Sequence, residues 1–181
     1  MTITIPTLET DRLILRAPTL ADFEALCMFF ASDRAKFVGG QMNEEQAWRQ
    51  LAIEIGHWPL RGYGRWTVTE KHSGQAAGLI GLWFPHGWPE PEIAWDLFEG
   101  FGGKGYATEA AQAARAYAYN TLGWSTAISL IDADNHESRA LAQRLDAQHD
   151  GHFTHERFGE VQVWRHPAPY DLNDIGMETS T

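Results

Sequence analysis

A glycine-rich segment in the middle of the chain has the composition of a phosphate-binding loop. Its glycines are Gly100, Gly102, Gly103 and Gly105. They follow an apolar stretch at residues 92–98 that predicts a strand, and they open an alanine-rich stretch at residues 104–122 that predicts a helix. Glycine permits positive φ angles and close approach of a ligand, and the first amides of a helix lack partners and carry partial positive charge. The segment therefore predicts a site for phosphate or pyrophosphate, with a tight turn that binds no ligand as the alternative.

Two nucleotide-binding motifs share this spacing. A Walker A loop beginning at Gly100 would need Lys-Ser or Lys-Thr after Gly105, where the chain has Tyr106-Ala107, so that interpretation is excluded. The dinucleotide pattern Gly-x-Gly-x-x-Gly is matched, and Asp132 stands at the end of the next predicted strand, so a dinucleotide-binding oxidoreductase remains an alternative. Two features argue against this alternative. The strands before the segment favour an antiparallel meander, and only one parallel crossover follows, whereas a doubly wound fold needs several such crossovers.

The elements that would position this loop alternate between strand and helix patterns. Apolar alternation and short apolar runs predict strands at residues 9–16, 63–70, 75–84, 92–98, 126–131, 151–154 and 160–165. Apolar residues at helical spacing predict helices at residues 19–31, 43–56, 104–122 and 135–145. Short connections at residues 71–74 and 85–91 favour antiparallel neighbours. We expect an α/β fold with a mixed, mostly antiparallel central sheet flanked by helices, in one domain at residues 1–167 followed by a flexible tail at residues 168–181.

Composition excludes several other classes of protein. The 181 residues are 44% hydrophobic and 21% charged, which is ordinary for a globular protein. No apolar run approaches the roughly 20 residues that a membrane helix needs. With 14 Lys and Arg against 24 Asp and Glu the formal charge is −10, and the lack of a basic cluster argues against nucleic-acid binding. The single cysteine, Cys27, permits no internal disulfide, and residues 1–10 predict neither a signal peptide nor an anchor, so we expect a cytoplasmic location.

The glycine-rich segment also resembles a third motif. Residues 102–107, with the sequence GGKGYA, resemble motif A of the GNAT N-acetyltransferases, whose pattern is Gln/Arg-x-x-Gly-x-Gly/Ala, except that Gly102 occupies the first position. The segment at residues 103–110, with the sequence GKGYATEA, is similar to the RimJ/RimL branch of that family, which acetylates the N-termini of ribosomal proteins. The branch's opening strand, motif B and closing strand resemble residues 10–16, 132–145 and 163–167. The resemblance covers residues 8–167 with the elements in the same order.

This resemblance implies acetyl-coenzyme A as co-substrate and a splayed pair of central strands that admits its thioester. The backbone of the strand near Leu97 would pair with the pantetheine arm, and the loop amides would bind the pyrophosphate. The implied cofactor-binding residues are Leu97, Gly102, Gly103, Lys104, Gly105, Tyr106, Ala107, Thr108, Asn135 and Ser138. The amine acceptor would attack the thioester directly, without a covalent enzyme intermediate, and no metal is expected.

The resemblance further implies a proton donor for the departing thiolate. Many members carry a Tyr in the last helix, but the matching position here is Ala142. In the RimJ/RimL branch the suggested substitute is a Ser three residues after the Asn, which here is Ser138 after Asn135. Both residues could instead serve only to cap the helix and fill its first turn. Asp146 stands where the family has a Gly, and Asp tolerates the left-handed conformation that this turn requires.

Glu92 is the candidate general base. It begins the strand beside the expected thioester, where Ile93 and Trp95 would raise its pKa by desolvation. An exposed carboxylate at the end of a strand is the alternative interpretation. His86, on the loop between two strands, or a water molecule could act as the base instead.

Three histidines near the end of the chain have the spacing of possible metal ligands. His149, His152 and His155 recur at every third position. Because residues three apart in a strand point to opposite faces, we expect no shared ion.

The sequence does not specify the amine acceptor. A protein N-terminus or a small amine would suit the fold, and Trp83, Phe84 and Trp88 could line its pocket or belong to the core. A degenerate member that binds coenzyme A as a sensor remains an alternative, because both the Tyr and the Gln/Arg are missing. The resemblance is compatible with a monomer or a homodimer.

Overall fold

The computed structural model describes residues 4–172. Its strands are β1 (Leu8–Glu9), β2 (Leu13–Arg16), β3 (Arg65–Glu70), β4 (Ala76–Trp83), β5 (Glu92–Leu97), β6 (Ile128–Ile131), β7 (Gln148–His155) and β8 (Gly159–Arg165). Its α-helices are α1 (Phe23–Ala31), α2 (Glu44–Arg61), α3 (Tyr106–Asn120) and α4 (His136–Arg144), and two 3₁₀-helices span Leu20–Asp22 and Asp33–Phe37. The strands form one sheet in the order β1-β2-β3-β4-β5-β6-β8-β7, in which β5 and β6 are the one parallel pair of the described part. The predicted mixed, mostly antiparallel sheet is confirmed, and it is not the doubly wound sheet of a dinucleotide-binding fold.

Helices cover both faces of this sheet. On one face, α2 contacts β3 through Glu54 and Arg65, and Arg65 also contacts Asp96 of β5. On the other face, α3 packs against β4 and β5, while Ser138 of α4 contacts Trp95 of β5. Because side chains alternate along a strand, the even-numbered residues of β5 face α2 and the odd-numbered residues face α3 and α4.

Helix α3 begins directly after the glycine-rich segment. Its N-cap, Gly105, has φ 78°, a left-handed conformation that favours glycine. The face that packs against the sheet is fully buried at Ala110, Ala111, Ala114 and Ala118. These small side chains let the helix lie close to β4 and β5, so the glycine-rich segment is held at the end of β5.

Helix α2 is longer than predicted. It continues beyond residue 56 to Arg61 although Pro59 lies within it. Trp58 is almost fully buried, and its indole Nε1–H donates to the Arg65 carbonyl at 3.0 Å. This packing outweighs the local cost of a helix-breaking residue in the last turn.

Strand β7 contains a bulge that the sequence did not reveal. The pairing register with β8 shifts between His149 and His152, and Gly151 has φ 92°. Because a bulge adds one residue to its strand, the two histidines share a face with their ring centroids 5.1 Å apart, so the predicted opposite orientation is wrong for this pair. Within residues 4–172, no three His, Cys, Asp or Glu side chains are grouped so as to hold a metal ion.

The predicted tail at residues 168–181 is described only as far as Leu172, whose side chain packs against the main core. Residues 173–181, like residues 1–3, lie outside the described part of the chain. None of the described helices combines the length and the hydrophobicity needed to cross a membrane.

Candidate active site

A cavity of approximately 620 Å³ opens where β5 and β6 separate. Its lining includes both predicted catalytic residues, Glu92 and Ser138, and the predicted cofactor residue Asn135. Trp88 from the loop after β4 and Phe158 from the β7–β8 turn line it as well. A concave site of this volume and aromatic lining is typical of small-molecule binding.

Two side chains mark the point where β5 and β6 separate. The two strands are paired at a single position, Glu92 with Ile128. In a regular parallel ladder the next bond would join the Leu130 N–H to the Ile93 carbonyl. Instead, the Leu130 N–H donates to Glu92 Oε1 at 2.8 Å, and the Ile93 carbonyl accepts from Ser129 Oγ at 2.6 Å. Side chains therefore satisfy the backbone groups on both edges, and the strands can diverge beyond this point.

Glu92 is a buried carboxylate that accepts two hydrogen bonds. It is 6% exposed, and besides Leu130 it accepts a hydrogen bond from Trp88 Nε1 at 2.5 Å. Burial raises the pKa of Glu92 to about 7, although both hydrogen bonds oppose that change. The alternative of an exposed carboxylate is therefore wrong. The expected cause also needs correction, because Ile93 and Trp95 lie on the opposite face of β5 from Glu92.

A buried ion cluster lies on the same face of β5. Arg65 donates to Glu54 Oε2 at 3.0 Å and to Asp96 Oδ2 at 2.5 Å, and all three side chains are nearly inaccessible. Burial raises the pKa of Asp96, against the charge of Arg65. Arg65, Asp96 and Glu92 all line the cavity, with Ala94 between the two acids. With Glu92 ionised the four charges sum to −2, so this side of the cavity favours a cationic ligand.

Ser138 is held by the first turn of α4 and by a tryptophan. The Asn135 side chain caps the helix by accepting from the Ser138 N–H at 3.1 Å. Trp95 Nε1 donates to Ser138 Oγ at 3.1 Å. Because an indole N–H only donates, the Ser138 hydroxyl acts as acceptor in that bond and keeps its own proton for another partner. After α4, Asp146 has φ 61°, so the predicted left-handed turn at that residue is confirmed.

The residues of the glycine-rich segment predicted to bind the cofactor lie together between the end of β5 and the first turn of α3. They are Gly102, Gly103, Lys104, Gly105, Tyr106, Ala107 and Thr108. The amides at residues 103–107 are those predicted to bind the pyrophosphate of the cofactor. Gly103 and Gly105 have φ 74° and 78°, and the amides that follow Gly105 open the helix, where no intrahelical acceptor precedes them. The Lys104 ammonium lies 3.6 Å from Glu70, and the Tyr106 hydroxyl donates to that same carboxylate at 2.5 Å. The Lys104 and Tyr106 side chains are therefore engaged with Glu70, and the first backbone amides of α3 are the donors without an intrahelical acceptor.

The other sequence candidates are divided between the cavity and its surroundings. His86 is exposed at the cavity rim, and Trp83 and Trp88 line the walls. Phe84 does not line the cavity and instead packs beneath the Arg61 guanidinium, 4.5 Å from the ring centroid.

Sequence reasoning missed three residues that support the site: Arg65, Ser129 and Asp96. All three are polar residues placed within apolar strands, and they are buried in the structure. A polar side chain at a position where the strand pattern predicts burial was the available signal. The sequence could not identify their partners, which come from other strands and from α2.

An open strand edge beside a buried carboxylate is an arrangement that acyl transfer from a thioester could use. Residues 12–148 match the acetyltransferase (GNAT) domain family, and the chain belongs to this family. The prediction of an acyltransferase enzyme is thereby confirmed.

Comparison with individual proteins supports membership of this family. The crystal structure of an acetyltransferase from Agrobacterium tumefaciens superposes with a TM-score of 0.83 at 34% identity, covering 92% of this chain and 96% of that one. A Bacillus subtilis protein named uncharacterized N-acetyltransferase YoaA is 26% identical over 93% of this chain and 94% of its own length. A RimL ribosomal L7/L12 α-N-protein acetyltransferase in complex with coenzyme A has a TM-score of 0.72 at 17% identity, covering 90% of this chain and 98% of that chain, which shows a common fold.

Proposed function

We propose that the protein transfers the acetyl group of acetyl-coenzyme A to the nitrogen of an amine that attacks the thioester directly. The observation that carries this proposal is Glu92, a 6% exposed carboxylate whose pKa is raised to about 7 at the point where β5 and β6 separate. A general base is most effective when its pKa lies near the working pH.

The glycine-rich segment fits the pyrophosphate of this co-substrate. A Cβ on Gly103 would meet nothing within 4 Å, so the loop backbone is open to a ligand. The amides of Tyr106, Ala107 and Thr108 at the start of α3 would donate to phosphate oxygens, with the helix dipole adding to the attraction. The edge of β5 near Leu97 would pair with the pantetheine arm, since β6 leaves that edge after Glu92. The Leu97 carbonyl already accepts from Arg34 Nε at 3.0 Å, so the Leu97 N–H is the group of that residue left for the arm.

Two residues at the open edge, Glu92 and Ser138, would each carry out one of the two proton transfers. Glu92 accepts the proton that the amine loses as its nitrogen forms a bond to the carbonyl carbon. When the tetrahedral intermediate collapses, the C–S bond breaks and the electron pair leaves with sulfur. Ser138 donates its hydroxyl proton to that thiolate and is reprotonated from solvent, while Trp95 holds the Ser138 oxygen in place. The products are an N-acetylated amine and free coenzyme A.

The acceptor in this proposal is an amine next to an apolar group, which arrives as the ammonium ion, loses one proton to water to become the free amine, and then attacks. Glu92, which no cation pairs in the described residues, supplies negative charge on one side of the cavity, and Trp88 supplies an aromatic wall that favours a cation. A protein N-terminus of the RimJ/RimL type and a small amine both satisfy this description. The shared fold with the RimL acetyltransferase supports the first of these as a proposal.

The test is release of thiol from acetyl-coenzyme A with a panel of amines. The panel contains short peptides with free N-termini, the same peptides with blocked N-termini, and small mono- and diamines. We expect thiol release with at least one free amine and none with the blocked peptides. Binding of acetyl-coenzyme A without thiol release for any amine would contradict the proposal and support the coenzyme A sensor instead.

A further inference from the structure

The first position of the pyrophosphate loop lacks a side chain, and an arginine from elsewhere in the chain lies beside it. Arg34 belongs to the 3₁₀-helix Asp33–Phe37, which connects α1 to α2. A Cβ built on Gly102 would lie 3.7 Å from Arg34 Nη2. The guanidinium therefore lies within van der Waals contact of the point where a side chain at position 102 would begin.

Hydrogen bonds hold this guanidinium at the end of β5. Arg34 Nε donates to the Leu97 carbonyl at 3.0 Å, and the Arg34 backbone N–H donates to Ser32 Oγ at 3.3 Å. The neighbouring acid is Glu99, whose Oε2 lies 3.8 Å from Nη1, and the Glu99 side chain is 81% exposed. An exposed pair at this distance contributes little and leaves the arginine available for a stronger anion.

The other cations next to the loop are already engaged with carboxylates. Arg12 lies 2.6 Å from Glu109, and the Lys104 ammonium lies 3.6 Å from Glu70. Arg34 Nη2, in contrast, donates to no acceptor within residues 4–172. The Arg34 side chain is 31% exposed, so solvent and a ligand can both reach it.

We propose that Arg34 binds the phosphate groups of coenzyme A in place of the side chain that is absent at Gly102. This inference rests on the proposed function, because it assumes that the loop receives the pyrophosphate. The two N–H groups of Arg34 Nη2 can donate to phosphate oxygens. Because the Leu97 carbonyl already holds the Arg34 side chain, less conformational entropy is lost when the phosphate binds.

The experiment compares two ligands, of which coenzyme A carries the phosphates together with adenosine and pantetheine carries neither. Coenzyme A carries the pyrophosphate and pantetheine does not, so the affinities of both are measured by calorimetry, and S-acetylpantetheine is tested as a truncated substrate. Arg34→Ala should weaken coenzyme A binding by about 10-fold or more, while the KM for S-acetylpantetheine changes less than about twofold. Arg49→Ala is the matched control, because it removes the same charge from an exposed pair with Glu45 on α2. Arg34→Met is the second variant, to be used if the alanine variant does not fold.

A rescue variant makes the test sharper. Gly102 does not have a positive φ, so an L-residue fits its backbone. Introducing Gly102→Arg into the Arg34→Ala protein should restore most of the lost affinity for coenzyme A. Equal affinities in the Arg34→Ala and Arg49→Ala proteins would overturn the inference, as would an equal loss for both ligands, which would indicate a structural role. Failure of the wild-type protein to bind coenzyme A would instead overturn the proposed function, and the inference with it.

Discussion

Replacing Trp88 with Phe removes one hydrogen-bond donor from Glu92. In the wild-type protein the indole donates to Glu92 Oε2 at 2.5 Å and stabilises the ionised carboxylate. A hydrogen bond to a charged group contributes about 1.5–3 kcal/mol, and one pKa unit corresponds to about 1.4 kcal/mol. Trp88→Phe should therefore raise the pKa of Glu92 from about 7 by about 1–2 units. More of the base is then protonated at neutral pH, so the acidic limb of the pH–rate profile moves to higher pH.

The assay is kcat/KM as a function of pH, which reports the pKa of the base in the free enzyme. Because Trp88 also lines the cavity, the height of the profile can fall, and the midpoint of the acidic limb is the quantity to compare. Trp83→Phe is the matched control, since Trp83 lines the same cavity without a hydrogen bond to Glu92 and should leave the midpoint unchanged. Glu92→Gln should abolish this limb, and it should lower turnover more at pH 7 than at high pH, where the amine is already deprotonated. A Trp88→Phe midpoint that stays near the wild-type value would refute Glu92 as the base.

Three further substitutions test the donor, the loop and the ion cluster. Ser138→Ala should lower kcat by about 10-fold or more while calorimetry shows nearly unchanged acetyl-coenzyme A affinity. A Ser138→Ala protein with the wild-type kcat would show that Ser138 has only a structural role in the first turn of α4. Gly105→Ala should weaken coenzyme A binding and reduce the free energy of unfolding by about 1–2 kcal/mol, because its φ is 78°, and unchanged affinity in a folded variant would contradict the loop assignment. Arg65→Met should reduce the free energy of unfolding by about 3–5 kcal/mol, since it leaves Glu54 and Asp96 buried without a cation. That loss should shrink in urea titrations at acidic pH, because burial raises the pKa of Asp96 and a protonated Asp96 no longer needs the Arg65 cation, and a loss that does not depend on pH would contradict this explanation.

The elements with strong local signals could be predicted from the sequence. Helix α3 has a glycine before its first turn, followed by a run of alanines. The alanines favour helix formation and also form the surface that packs against the sheet, so local and tertiary preferences agree. At the end of α2 they disagree, because Pro59 signals a stop while burial of Trp58 favours continuation. The bulge in β7 depends on pairing with β8, and strand pairing is not visible in the hydrophobic pattern of one strand.

The candidate site shows the same division. The position of Glu92 at the start of β5 follows from the order of strands, so it could be selected as a base from the sequence. Its burial depends on Trp88 in a loop and on Leu130 in β6, and neither contact leaves a signal in the neighbourhood of Glu92 itself. The contact of Arg34 with the pyrophosphate loop is equally non-local, because 63 positions separate Arg34 from the Leu97 carbonyl that holds it.

Glu92 also helps to keep the strand pair open, and this second role decides which substitution can test the first. Its Oε1 accepts the Leu130 N–H, a backbone group that β5 would otherwise satisfy. Glu92→Ala would leave that N–H buried without an acceptor, at a cost of about 1–3 kcal/mol, and β6 could regain it by closing towards the Ile93 carbonyl. An inactive alanine variant would therefore not distinguish loss of the base from closure of the thioester entrance. Glu92→Gln keeps an amide oxygen for Leu130 and removes the ability to accept the amine proton at neutral pH, but its amide NH2 would face the Trp88 indole N–H, which also donates. Combining Glu92→Gln with Trp88→Phe removes that donor–donor contact. A loss of activity relative to Trp88→Phe alone, with unchanged coenzyme A affinity, then points to the proton transfer.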